Sequence, residues 1–326
     1  MTTSALTAAI AVAAVLVAAP IAAAQAYTIY TSNEKDNTIS VIDGTTLEVT
    51  ATIPVGQRPR GITLSTDNKL LYICTSDDNH IEVLDLEKNS VVRILPSGPD
   101  PELFALHPDG RHLYIANEND NMVSVVDVQA GKLLAEIPVG VEPEGMGLNP
   151  DGSILVNTSE TTNMAHFIDT KTHEIVANVV VGSRPRVARF TPDGRHVWVS
   201  AEIGGDVAVI DSDTREIVHT IEFAIQGIKP EAIQPVGIEM TADGKQAFVA
   251  LGPANRVAVI DMATYEVTRY VLVGQRVWNV ALAPDGKRLF TTNGVSNDVT
   301  VIDVDRMRAI KSVPVGRMPW GVVVRP

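Results

Sequence analysis

Apolar residues along this chain alternate in short runs, such as His112-Leu113-Tyr114-Ile115-Ala116 and Val123-Ser124-Val125-Val126-Asp127, with Gly, Pro, Asn and Asp between the runs. A period of two bounded by turn residues predicts half-buried strands, and no segment sustains a helical period. The run Val-x-Val-Ile-Asp recurs in variants ending at Asp43, Asp85, Asp127, Asp169, Asp211, Asp261 and Asp303, at separations of 42, 42, 42, 42, 50 and 42 residues. A second marker, Pro-Asp-Gly or a relative, ends at Asn68, Gly110, Gly152, Gly194, Gly244 and Gly286 and places the same eight extra residues in the same interval. Each unit offers four short strands: one after Gly-x-x-Pro, one before an Asn-rich turn, one ending in Asp and one ending in Pro-Val-Gly. A lone four-stranded unit cannot bury both faces, so the units stack around an axis. The expected fold is all-β, a seven-bladed β-propeller. Tyr27 opens on the second strand of a unit, and Met318 to Val324 supply the missing first strand, so the C-terminal strand is expected to close the ring on the N-terminal blade.

Composition refines this picture at the start of the chain. Met1 to Ala26 has no charged side chain and ends in Ala24-Gln25-Ala26, which predicts a secretory leader cleaved after Ala26, a propeller over 27–326, a periplasmic location and no membrane span afterwards. The single Cys74 excludes an internal disulfide, and the absence of Cys-x-x-Cys-His excludes covalent c-type haem. A net charge of −13 excludes the basic surface that nucleic acid requires.

Ile53-Pro54-Val55-Gly56, Asn117-Glu118-Asn119-Asp120-Asn121 and the Ile-Asp after each third strand resemble the YVTN-type β-propeller repeats of bacterial secreted proteins. Length, leader and seven repeats resemble more closely the β-propeller family associated with pyrroloquinoline quinone (PQQ)-dependent catabolism. That resemblance implies a periplasmic partner within a PQQ-dependent alcohol oxidation system. The fold itself is shared by binding, lyase, lactonase and electron-transfer proteins, so it does not choose among them.

The seven repeated Asp residues lie in seven different blades and are expected to cap turns rather than hold metal. Asn37, Asn79, Asn121, Asn163, Gly205, Asn255 and Asn297 are expected to occupy left-handed turn positions. Function is sought where the repeat symmetry breaks. The residue after each inner-strand Pro, or after Val277 at the equivalent place in the last unit, gives, in blade order, Trp320, Arg60, Glu102, Glu144, Arg186, Val236 and Trp278, an apolar arc beside a charged arc at one channel mouth. The residue before the same Pro adds Arg58, Asp100, Glu142, Arg184, Gln234, Arg276 and Met318, and the next turn adds Glu34, Glu118, Glu160 and Glu202. Alternating Arg and Glu are expected either to pair across blades on a solvated surface or to bind. Trp278 and Trp320 are expected to be exposed binding anchors. The eight-residue insertion, within Phe223 to Gln234, is expected to overhang the apolar arc as a lid or docking lip through Ile228.

Three functional classes follow from this mouth. The first is a non-catalytic propeller that binds a partner protein or small ligand through Trp278, Trp320, Arg60, Arg186, Glu102, Glu144, Arg276 and Ile228, with no resident cofactor and no catalytic residue. The second is a lyase or lactonase using the mouth Arg and Glu residues, with Glu102, Glu144 and Glu239 near one opening and a divalent cation as an option. The third is a carrier with PQQ held near Arg60, Arg186 and the Trp arc, since a polycarboxylate quinone suits guanidinium and aromatic faces. Arg189 and Glu239 share an inner-strand column and are expected to form a structural ion pair. The seven His residues show no metal-binding spacing, and His112 and His196 are expected to be surface turn residues. No Gly-x-Ser-x-Gly, His-Glu-x-x-His, phosphate loop or dinucleotide fingerprint is present.

Overall fold

The computed structural model describes residues 1–2 and 26–326; the leader expected over 1–26 falls on 3–25, outside the described residues. From Thr28 onward the chain forms seven four-stranded antiparallel sheets, and the only helical pieces among the described residues are the single turns Ser76–Asp78 and Pro230–Ala232. Blade 1 places Pro319–Arg325 against Thr28–Asn33, followed outward by Thr38–Asp43 and Val49–Pro54. The closing pair is in register from Thr28 opposite Arg325 to Thr31 opposite Val322. Blades 2 to 7 run from inner to outer strand in chain order, with inner strands Pro59–Leu64, Pro101–Leu106, Pro143–Leu148, Pro185–Phe190, Ile238–Met240 and Val277–Leu282. Each inner strand touches the next, and the last touches the first, so the ring is closed.

The alternating apolar residues of the middle strands meet between blades, not within one. Phe290, Val299, Ile29 and Val322 fill the space between blades 7 and 1, and Trp198, Val207, Ile238 and Val249 do so between blades 5 and 6. The expected Asp role holds in this geometry. Asp127 Oδ1 accepts from the backbone N–H of Gln129 and Ala130, and Asp43, Asp85, Asp169, Asp211 and Asp261 do the same in their turns.

The Asn column does more than turn the chain. Asn37, Asn79, Asn121, Asn163, Asn255 and Asn297 all have positive φ. Each Oδ1 also accepts the backbone N–H of the residue before the next blade's inner-strand Pro, or before Val277 where blade 7 has no Pro: Arg58, Asp100, Glu142, Arg184, Arg276 and Met318, at 2.8–3.2 Å. Those six partners are themselves left-handed, with φ between 53° and 59°. An L residue there costs roughly 1 kcal/mol or more, and the side-chain carbonyl offsets it. Gly205 cannot supply this clamp, and it stands in the blade immediately before the insertion.

Candidate functional site

Two local devices deliver side chains to the axis. In blades 1 to 5 the pairing of inner and second strands slips just after the Pro, and in blade 7 just after Val277, for example between Pro59 opposite Thr75 and Ile62 opposite Ile73. Such a bulge re-aims a side chain, and the residue it re-aims is the one after the Pro. Close backbone approach does the rest: a Cβ on Gly61 would lie 2.4 Å from the Glu102 carbonyl oxygen, so glycine lets neighbouring inner strands pack tightly.

The charged arc is a buried layer, not a solvated surface. Glu102 is 0 % exposed, Glu144 1 % and Arg186 3 %. In the first half, Arg60 Nη1 donates to Glu102 Oε2, while Arg58 donates from Nη2 to Glu102 Oε1 at 2.9 Å and from Nη1 to Asp100 Oδ1 at 2.7 Å. Glu34 stands 3.7–3.8 Å from both guanidiniums. In the second half, Arg186 Nη1 donates to Glu160 Oε1, Arg184 Nε lies 2.8 Å from Glu160 Oε2, and Arg276 Nη2 donates to Glu202 Oε1 at 2.8 Å. The cross-blade pairing considered from sequence is therefore present, but burial removes the solvent screening that makes such pairs weak.

Burial also sets the protonation pattern. It pushes the Glu102 carboxyl well above its ordinary range, the Glu144 charge adds to the push, and Arg60 and Arg58 oppose it. The Glu160 carboxyl is pushed up to about 7 by the same burial, with Arg186 and Arg184 pulling down and Glu144 and Glu118 pushing up. Glu118 is raised by burial and then by Glu144. Burial works against the charge of Arg60 and Arg186, yet the surrounding carboxylates outweigh it and raise both.

Several buried polar atoms of this layer lack a hydrogen-bond partner: Arg60 Nε, Arg186 Nε and Nη2, Trp320 Nε1 and Glu144 Oε1. Arg186 Nη2 lies 2.8 Å from Glu144 Oε1, but out of line for a hydrogen bond, so that contact is Coulombic only. Oxygens of Asp100, Glu102 and Glu118 come within 4.8 Å of one another, a donor set for a hard divalent cation, but Arg58 and Arg60 already neutralise Asp100 and Glu102.

The apolar arc departs from expectation. Trp320 is 1 % exposed beneath the Arg60 guanidinium, 5.3 Å from the ring centroid, and Val236 is buried, so neither is an exposed anchor. Trp278 is half-buried and remains reachable, with Arg276 at 4.3 Å and Arg186 at 5.9 Å over its ring. The insertion does not overhang the Trp arc. Phe223, Ile225 and Ile228 pack onto the hydrophobic cluster between blades 5 and 6, and Ala224 N–H bonds Tyr270 on the outer strand of blade 6. Apolar side chains seek that core rather than water, and only Gln234 reaches the mouth, accepting from Arg276 Nη1 at 2.9 Å.

Two spaces adjoin the layer. A cleft of about 390 Å³ on its outer side is lined by Glu118, Glu142, Glu160, Thr161, Arg184 and Ile203, among others. A second space of about 460 Å³ fills the channel below, from Trp320 to Thr66 and Asn68 at the far end. Arg189 and Glu239 meet there at 2.5 Å, forming the expected pair, and Glu239 belongs to this channel rather than to an opening shared with Glu102 and Glu144.

Known proteins add the following. The family model described as lactonase, 7-bladed β-propeller, matches residues 169–310, a stretch that holds Arg184, Arg186, Glu202, Arg276 and Trp278 but not Glu160. That stretch is less than half of the chain. No curated protein matches the chain. Among solved structures, a candidate 6-phosphogluconolactonase from Bacteroides fragilis is 19% identical with a TM-score of 0.77, covering 94% of this chain and 100% of that one. Hydrazine synthase of Kuenenia stuttgartiensis is 23% identical with a TM-score of 0.78, covering 85% and 92%. The dihydro-heme d1 dehydrogenase NirN, in complex with DHE, is 16% identical with a TM-score of 0.69, covering 91% and 74%. At these identities the likeness establishes the propeller fold alone.

Proposed function

We propose that the charged mouth is a site for a small lactone or ester and opens it by hydrolysis. The observation that carries this reading is Glu160: a carboxyl at about 7, on the wall of the outer cleft, with Arg184 beside it and solvent-exposed. A base with a pKa near neutrality is matched to activating water. Glu160 would take the proton from a water that attacks the lactone carbonyl carbon, Arg184 would stabilise the tetrahedral oxyanion, and the ring C–O bond would break. The proton held on Glu160 would then pass to the leaving alkoxide, giving a hydroxy acid whose carboxylate faces guanidinium groups. The match of residues 169–310 to lactonase propellers supports the same chemistry. The test is a pH-stat screen of γ- and δ-lactones, with and without a terminal phosphate. Turnover should fall at least about a hundredfold in Glu160→Gln, the scale of a lost general base; turnover equal to the variant's for every lactone overturns the reading.

A second reading is favoured by Trp278, half-buried under Arg276 and Arg186: capture without turnover of a partner protein or an anionic aromatic ligand such as PQQ. With the leader expected over residues 1–26 and the repeat resemblance, this reading would have the protein work in the periplasm beside a PQQ-dependent oxidation system. Affinity capture from periplasmic extract and a thermal shift with PQQ, each compared with Trp278→Ala, test it. Capture and shift indifferent to that substitution remove it.

A further inference from the structure

The opposite face carries a cluster that neither functional reading uses. Every Pro-Asp-Gly-type turn has an acceptor Asp: Asp67, Asp109, Asp151, Asp193, Asp243 and Asp285. Two residues before it stand Ser65, His107, Asn149, Thr191, Thr241 and Ala283; three after it stand Leu70, His112, Ile154, His196, Gln246 and Arg288. Only blade 3 places imidazoles at both positions. In blade 5 Thr191 Oγ1 satisfies Asp193 Oδ1 at 2.6 Å, so a hydroxyl is the ordinary partner there and His107 replaces it.

The blade 3 geometry converges. Asp109 Oδ1 is occupied by the backbone N–H groups of Arg111 and His112, which leaves Oδ2 free to face the rings. His112 Nδ1 lies 2.6 Å from Oδ2 and His107 Nδ1 lies 3.1 Å from it. The two rings stand edge to face with centroids 6.0 Å apart. His107 is held in this pose from behind, because its Nε2 lies against Gly152, where a Cβ would come within 2.6 Å. The Asp109 amide hydrogen points at His107 Nδ1 over 3.2 Å, so that nitrogen presents a lone pair. With Asp109 Oδ2 3.1 Å away, a cation that took this lone pair from the amide would also meet the carboxylate.

From this we propose that His107, Asp109 and His112 form a binding site for a borderline divalent transition metal, of which zinc is the type. One ligand atom from each residue lies within 4.8 Å of the other two. Metal-to-ligand distances of about 2.0–2.1 Å in a tetrahedral site separate neighbouring ligand atoms by roughly 3.3 Å. The two observed His–Asp separations, 2.6 and 3.1 Å, lie within about 0.7 Å of that spacing, and the two imidazoles must close the remaining side of the set from within 4.8 Å. Imidazole with a carboxylate selects zinc, nickel or copper over magnesium and calcium, which want oxygen alone. Three protein ligands on a partly exposed turn leave the fourth position open to water or to a donor from another molecule.

The test uses tag-free full-length protein and zinc itself, titrated against a chromophoric chelator, with copper(II) resonance spectra read for nitrogen hyperfine structure. One equivalent should bind with two nitrogens, and magnesium should not compete. His107→Ser and His112→Leu introduce the residues that blade 2 carries at these positions, so the turn stays one the fold already accepts; each should weaken zinc at least about tenfold and remove one nitrogen from the copper spectrum. His107→Gln serves where His107→Ser lowers the apo melting temperature. Zinc affinity and copper spectra unchanged by these substitutions overturn the proposal.

Discussion

Replacing Glu160 by Gln separates what burial does to this carboxyl from what its arginines do. Two guanidiniums contact it, yet burial and the Glu144 charge raise its pKa from 4.5 to about 7. At 1.36 kcal/mol per unit, that difference is about 3 kcal/mol between protonation states. Between pH 4.5 and 7 the folded protein holds a proton on Glu160 that the unfolded chain has released, so stability falls as pH rises through this window and levels off above it. Gln cannot titrate. The stability of the parent minus that of Glu160→Gln should therefore fall by about 3 kcal/mol from pH 4.5 to pH 8. Glu102 and Glu118 are raised too; the part of their slopes that is common to both proteins cancels in the difference, while the charge of Glu118 acts directly on Glu160 and stays in it. Urea unfolding at pH 4.5, 6, 7 and 8, followed by fluorescence and circular dichroism to check coincidence, measures it. A difference flat within about 0.5 kcal/mol, the usual scatter of such comparisons, refutes the reasoning. A difference of opposite sign would mean that Arg184 and Arg186 outweigh burial.

Other outcomes follow from the same geometry. Trp320→Ala should destabilise the ring by about 3–5 kcal/mol, as loss of a fully buried Trp does, whereas Trp278→Ala should cost about 1 kcal/mol or less, being half-exposed; chemical denaturation of both measures the contrast. Asn121→Ala removes the acceptor of Glu142 N–H and places an ordinary residue at φ 60°, for a loss of about 2 kcal/mol, while Asn121→Gly keeps the turn and should lose about 1. Deleting residues 319–326 strips blade 1 of its inner strand and should abolish cooperative thermal unfolding. Arg189→Ala breaks a pair whose Arg is nearly half exposed and should leave stability within about 1 kcal/mol.

The fold was legible because its signals are local and repeated. A turn-capping Asp and a Pro-Asp-Gly turn each act within a few residues, so each writes its own mark once per blade, and two marks that agree count the blades. The Asn clamp was half legible. Its left-handed turn is local, but its second bond goes to a backbone N–H of the next blade, and a backbone donor leaves no trace in side-chain identity. Two signals could have exposed it: the constant offset of 21 residues between each Asn and its partner, and Gly205 breaking the column just where the spacing before the next inner strand lengthens.

For the mouth, the ring of residues was legible and its burial was not. Charged residues following a Pro in a loop read as exposed, since each strand taken alone would leave them in water. Seven inner strands around one axis change that, because every long side chain is covered by those of its two neighbours. Arg60 covers Trp320 in this way. Trp278 has the short Val236 on its blade 6 side, so its indole stays half open even with Arg276 and Arg186 across it. The insertion therefore matters to the mouth by a route that sequence did not suggest. It carries Ile225 and Ile228 outward into the interblade core, and blade 6 keeps the shortest inner strand, Ile238–Met240. What remains at that sector of the axis is a small apolar residue and Gln234, and the neighbour they leave uncovered is Trp278.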